Sequence, residues 1–93
     1  IDKIIDDIYN NYNKKYIKDT FTILKKLFNN IINNPNEDKF KIFKKTNINI
    51  QMKVLFIKEC KDLIDLLGYV VKDEECLVFK GDISRLKYAV YVL

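Results

Sequence analysis

The sequence has no histidine and no tryptophan, and only one arginine, one alanine, one proline, two glycines and two cysteines. Each scarcity excludes a class of function. Without histidine there is no imidazole base and no zinc finger of the usual types. Cys60 and Cys76 stand too far apart for a CxxC pair, and both sit in otherwise apolar patterns. They read as buried free thiols in a reducing compartment, not as a secreted disulfide scaffold. Gly68 and Gly81 are the only glycines, so neither a GxGxxG turn nor a GxxxxGK loop is present. No apolar run approaches the ~20 residues that cross a bilayer. The chain opens on an acidic stretch, which is not the basic start of a signal peptide. It begins with Ile1 instead of Met and is expected to be a fragment of a longer protein.

What is abundant is narrow in kind. Ile, Lys and Asn number 14, 16 and 10 among 93 residues. All three have A/T-rich codons, so part of the excess is genome composition. The chain reads as a single domain over 1–93, 48% apolar and 32% charged, which is a globular balance. A domain of this size buries roughly 60–65% of its unfolded surface, enough for one core. The net charge of +4 is unevenly spread. Residues 1–13 carry −2 and residues 59–93 carry −2, whereas residues 14–58 hold eleven lysines against three acids, or +8. An acidic partner is therefore expected to dock in the middle.

Apolar periodicity places a first helix over residues 1–16, with Ile1, Ile4, Ile5, Ile8, Tyr9, Tyr12 and Tyr16 on one face. Asp19 or Thr20 is expected to cap a second helix that ends near Asn33. Asn34-Pro35-Asn36-Glu37 then reads as a capping box opening a short helix: Asn34 as N-cap, Pro35 at the first helical position, Glu37 reaching back. That helix fades by Phe40, and residues 41–44 are expected to be extended. Asn47 is expected to cap a short helix to Val54, followed by a longer one from Phe56 to Leu67. Gly68 stands where a left-handed residue ends a helix. Tyr69-Val70-Val71 and Leu77-Val78-Phe79 read as an antiparallel hairpin, and Asp82 caps a last helix containing Ile83, Leu86, Val90 and Leu93. The expected class is α+β, mainly helical with a small antiparallel sheet made of the C-terminal hairpin and a short strand.

Asn34-Pro35-Asn36-Glu37-Asp38-Lys39-Phe40, then Asn47-Ile48-Asn49-Ile50-Gln51-Met52-Lys53-Val54, then Leu66-Leu67-Gly68-Tyr69 and Leu77-Val78-Phe79 occur in one order and spacing. Together they resemble the PUB domain of peptide:N-glycanase and of proteins carrying UBA or UBX modules. The resemblance covers about residues 20–93 and leaves the N-terminal helix, residues 1–18, outside. It implies a non-catalytic adaptor that binds the acidic C-terminal tail of the AAA+ ATPase called valosin-containing protein. That ATPase serves ubiquitin-dependent and ER-associated degradation, so the resemblance implies a cytoplasmic or also nuclear location. It carries a tail pocket over to Asn30, Lys39, Phe40 and Lys44, with Asn47 at the edge. Two residues depart from the family pattern. Phe40 stands where Tyr is frequent, and Lys44 stands where Arg is frequent.

The plain readings stand beside these. Asn34, Pro35, Glu37 and Gly68 are structural caps first. Asn30 is solvated or functional, and Phe40 is core, pocket lining or both. The lysines are a solvated surface or a groove rim. Tyr9, Tyr12 and Tyr16 are packing. Asp62 and Asp65, or Asp73-Glu74-Glu75, have no apolar surroundings to split their pKa values into an acid and a base. No cofactor, metal or membrane is expected, and the domain is expected to be a monomer in isolation. The rival function is a winged-helix-like nucleic-acid module. It is disfavoured by the single arginine and by an acidic hairpin tip where a wing would meet phosphate.

Overall fold

The apolar spacing of the first sixteen residues runs on without interruption, yet the chain breaks inside it. In the computed structural model, which describes residues 1–93, helix α1 spans Asp2–Asn11 and helix α2 spans Lys14–Asn33. Asn13 causes the break. Its backbone is extended, and its Oδ1 accepts the Lys15 N–H at 2.9 Å, which starts α2 six residues earlier than expected. The expected cap at Asp19 or Thr20 is thus corrected. Asp19 is an exposed mid-helix residue 3.5 Å from the Lys53 ammonium. Thr20 is buried and donates its hydroxyl to the Lys53 carbonyl. Tyr16 leaves the first helix and stands exposed in the first turn of α2.

α2 is the spine of the domain. Ile17, Phe21, Leu24, Phe28 and Ile31 recur at intervals of three and four and are buried. Each contributes roughly 1.5–3 kcal/mol relative to exposure. Beyond α2 a 3-10 turn, Asp38–Lys41, leads into strand β1, Ile42–Lys44. Helix α3, Ile48–Ile50, widens into a π-helical turn over Gln51–Leu55, and helix α4 spans Lys58–Leu67. Strands β2, Tyr69–Val71, and β3, Cys76–Phe79, form the hairpin, and helix α5 spans Ile83–Val92.

The sheet has the order β1-β3-β2, with both pairs antiparallel. Register follows the core. Phe43 faces Leu77 and Tyr69 faces Phe79, so that Phe43, Tyr69 and Phe79 lie on the inner face. Tyr69 is the hub, with ring centroids 5.3 Å from Phe79, 5.8 Å from Phe43 and 6.4 Å from Phe28. This cluster fixes the sheet to α2. The architecture is α+β, five helices with a three-stranded antiparallel sheet, as the sequence pattern implied.

Two glycines hold the corner where α4 turns into β2. Gly68 ends α4 with φ +108°, a left-handed value that L side chains rarely adopt. A Cβ there would stand 2.4 Å from the Gly81 Cα, and a Cβ on Gly81 would stand 2.0 Å from the Leu67 carbonyl oxygen. The only two glycines of the chain are therefore pressed against each other, and the Lys80 N–H bonds the Gly68 carbonyl at 2.9 Å. Two polar contacts tie α5 back. The Tyr88 hydroxyl donates to the Asp2 carboxylate at 2.7 Å, and Arg85 donates to the Leu66 carbonyl at 3.2 Å. No helix is long and apolar enough to cross a membrane.

Candidate peptide-binding site

The residues that the sequence singled out lie on the stretch from the last turns of α2 to the start of α3. Asn30 is half-buried near the end of α2. Its carbonyl accepts both the Asn34 N–H at 3.1 Å and the Asn34 side-chain amide at 3.1 Å. The Asn30 side chain makes no hydrogen bond within the chain.

Asn34 therefore closes α2 and does not open the next helix, which corrects the capping box. The Glu37 N–H bonds the Asn34 carbonyl at 3.0 Å, making a tight turn with Pro35 at its second position. Proline fits that position for the same reason that it fits a helix start, its φ near −65°. The sequence pattern alone does not separate the two. Glu37 precedes the 3-10 turn and makes no side-chain cap; its backbone alone is used, the carbonyl accepting the Phe40 N–H at 3.2 Å.

The 3-10 turn packs against α2, so Lys39 and Phe40 lie near the helix end that carries Asn30. Phe40 is half-buried against the core, and the Lys39 ammonium sits 5.2 Å from the centre of its ring. Such an exposed cation–π pair contributes about 0.5–1 kcal/mol. Lys41 is 3.7 Å from Asp38. Along β1 the side chains alternate, so Phe43 enters the core and Lys44 stands exposed on the outer face beside Cys76 of β3. The Lys44 carbonyl accepts the Asn47 N–H at 3.2 Å. Asn47 then caps α3, its Oδ1 accepting the N–H groups of Asn49 at 3.0 Å and Ile50 at 3.2 Å.

Asn30, Lys39 and Phe40 thus share one end of α2, and Lys44 and Asn47 follow at the far end of β1. The five follow the chain as a strip from the end of α2 to the start of α3, with Asn30 and Phe40 half-buried and Lys39, Lys44 and Asn47 exposed. None of them lines any of the main concavities of the molecule. An apolar feature missed in the sequence begins one residue past Asn47. Ile48, Met52 and Phe56 stand at steps of four and are 67%, 68% and 68% exposed. With Tyr16 and Ile57, Met52 and Phe56 line a hollow of about 150 Å³. The signal was present as three large apolar residues at i, i+4 and i+8 beside a second set, Ile50 and Val54, that takes the core positions.

The Cys60 thiol is pushed up to about 12, chiefly by burial and then by Glu59, so it stays protonated and unreactive at neutral pH. The only arginine, Arg85 of α5, donates to the Leu66 carbonyl near the end of α4. A profile of the PUB domain matches residues 14–89, which leaves α1 and the last turn of α5 outside. No match was found among curated proteins. The chain belongs to the PUB domain family, a family of protein-interaction modules.

Proposed function

We propose that this domain is a non-catalytic adaptor for the acidic C-terminal tail of a AAA+ ATPase of the valosin-containing protein type. Through that tail it joins ubiquitin-dependent and ER-associated degradation in the cytoplasm. The observation that best supports this reading is the strip itself. Lys39, Lys41, Lys44 and Lys45 are gathered between the end of α2 and Asn47, and an exposed apolar ridge starts at Ile48. Each exposed lysine–carboxylate contact contributes about 0.2–1 kcal/mol and fades with salt, which steers an acidic tail without holding it. Affinity comes from an apolar anchor near the end of the tail, set against Phe40 and the ridge.

The departures from the family pattern set the strength of the grip. Phe40 offers no hydroxyl, and Lys44 is a point charge that cannot take a carboxylate with two parallel bonds. The hold is weaker and more salt-sensitive than one built on Tyr and Arg. The test is to titrate the domain at two salt concentrations with a peptide copying the tail and with random duplex DNA. Saturable peptide binding, weakened about tenfold or more (about 1.4 kcal/mol) in folded Asn30→Ala and Phe40→Ala variants, supports the reading. DNA binding with no saturable peptide binding at millimolar concentration ends it, and unchanged affinity in both variants removes the site.

A further inference from the structure

The central basic excess is divided between two places. Lys14, Lys18 and Lys25 recur on α2 at steps of four and seven, along one face of the helix. They rim a groove of about 480 Å³ between α1, residues 14–25 of α2 and the end of α5. Ile17 and Phe21, both buried, make its floor, and Tyr9 and Leu93 make its walls. Tyr9 is 48% exposed and meets Phe21 edge-on at 5.5 Å between ring centres. No acidic side chain lines the groove, and none of the three lysines is paired with an acidic side chain.

This groove is separate from the strip. Lys25, its nearest rim residue, stands five residues before Asn30, on the order of 7 Å along the helix at about 1.5 Å per residue and about 140° round it at about 3.6 residues per turn, so the two face different sides. Tyr9 and Leu93 lie outside the residues that match the family profile, whereas the α2 part of the lining, Lys14 to Lys25, lies inside them.

We propose that the groove is a second docking site, for an acidic peptide that carries one large apolar residue. The three unpaired ammonium groups draw in carboxylates, and no acidic side chain stands in the lining against them. Tyr9, half-exposed, and Leu93, partly exposed, above the apolar floor take the apolar side chain, which supplies the affinity that exposed charge pairs lack. A polyphosphate backbone would neutralise the rim but leave the apolar floor uncovered. Two acidic-peptide sites on different faces of α2 would let one domain hold two partners, or one partner twice, with the gain of a linked second contact. This inference does not depend on the tail reading.

The test is a heteronuclear NMR titration of the domain at low salt with a short peptide of glutamates around a central phenylalanine. Saturable shifts at the backbone amides of Tyr9, Lys14, Lys18 and Phe21 are expected, and high salt should weaken binding by an order of magnitude. The double substitution Lys18→Glu with Lys25→Glu should weaken this peptide by about tenfold or more while leaving binding of the ATPase tail unchanged. Phe40→Ala should do the reverse. Lys18→Gln with Lys25→Gln serves if charge reversal prevents folding. Shifts confined to residues 39–48, no saturable binding, or tighter binding of a single-stranded oligonucleotide at the groove would each overturn the proposal.

Discussion

Asn34 and Asn47 are one residue type at two helix boundaries thirteen positions apart, and they use opposite halves of the same amide. Asn34 follows α2 and donates through its NH₂ to the Asn30 carbonyl. Asn47 precedes α3 and accepts through its carbonyl oxygen from two backbone N–H groups. A helix ends with spare acceptors and begins with spare donors, so the boundary selects which half is used. The sequence shows only the amide, which is both donor and acceptor. Pro35 and Glu37 happened to complete a start signal after Asn34, and that is why the boundary was read the wrong way round. Substitutions that keep one half of the amide and remove the other separate the two roles.

The largest effect belongs to a helix end that uses no side chain at all. Gly68 closes α4 through its backbone, with φ +108° and the Gly81 Cα where a Cβ would stand. Gly68→Ala is expected to cost about 3 kcal/mol or more, because a left-handed backbone penalty and an overpacking penalty fall together. The midpoint of urea unfolding measures it. A loss below about 1 kcal/mol would mean that the corner can open without disturbing the hairpin.

Asn34→Asp comes next. The acceptor half is kept and the donor half is lost. A carboxylate then faces the Asn30 carbonyl at the negative end of α2. The expected loss is about 1–2 kcal/mol at neutral pH. Protonation restores a donor, so the deficit should shrink as pH falls through the carboxyl's own titration. A loss that does not change with pH would mean that the donor bond is not what Asn34 supplies. Asn47→Ala removes the acceptor at the other boundary and should cost about 1 kcal/mol, the usual value of an N-cap. Equal losses in Asn47→Ala and Asn47→Asp would sink the assignment of the acceptor role.

Much of the fold was legible, and the reasons are local. α4, the hairpin and α5 each carry their own punctuation in Gly68, the β-branched and aromatic runs, and Asp82, whose carboxylate accepts the Ser84 N–H at 2.8 Å. The α1–α2 boundary was not legible, because the Ile and Tyr spacing carries on across it. Asn13 is one of three asparagines between positions 10 and 13, with nothing local to mark it as the cap. The exposed ridge of Ile48, Met52 and Phe56 stands at steps of four beside Ile50 and Val54, which take the core positions, and filling the core leaves open whether a second apolar set is covered elsewhere. The candidate strip was legible as a list of residues but not as a shape. Whether Asn30 and Lys44 share a surface depends on how the 3-10 turn folds back on α2, and no spacing rule encodes that packing. The groove lysines on α2 were visible as a stripe. Their meaning required Tyr9 and Leu93, which approach from the two ends of the chain.

Asp73 shows a carboxylate in the acceptor role that Asn47 fills with an amide. Its Oδ1 accepts the Glu75 and Cys76 N–H groups at 2.8 Å each, and these bonds hold its pKa below the usual carboxylate value, the Glu75 bond first. A depressed folded pKa means stability that is present above the unfolded value, about 3.9, and lost as pH falls through the folded one. Asp73→Asn keeps an acceptor and cannot titrate, so its stability should change less than that of the wild type across that acid window. Parallel curves for the two proteins would show that the hairpin tip does not draw on the charge.

The smallest change in stability is expected for Asn47→Asp, and it separates two roles that the other substitutions leave mixed. The carboxylate keeps the acceptor, and it sits at the positive end of α3, a favourable place for negative charge. Unfolding should therefore stay within about 0.5 kcal/mol of the wild type. The proposed tail site predicts a different outcome for binding. An acidic peptide passing Asn47 would meet a new like charge, so the tail peptide should bind several-fold more weakly and the loss should fade with added salt. A fold left intact together with a weakened tail would assign Asn47 to both jobs. If neither the fold nor the affinity changes, Asn47 is a cap alone, and the tail site ends at Lys44.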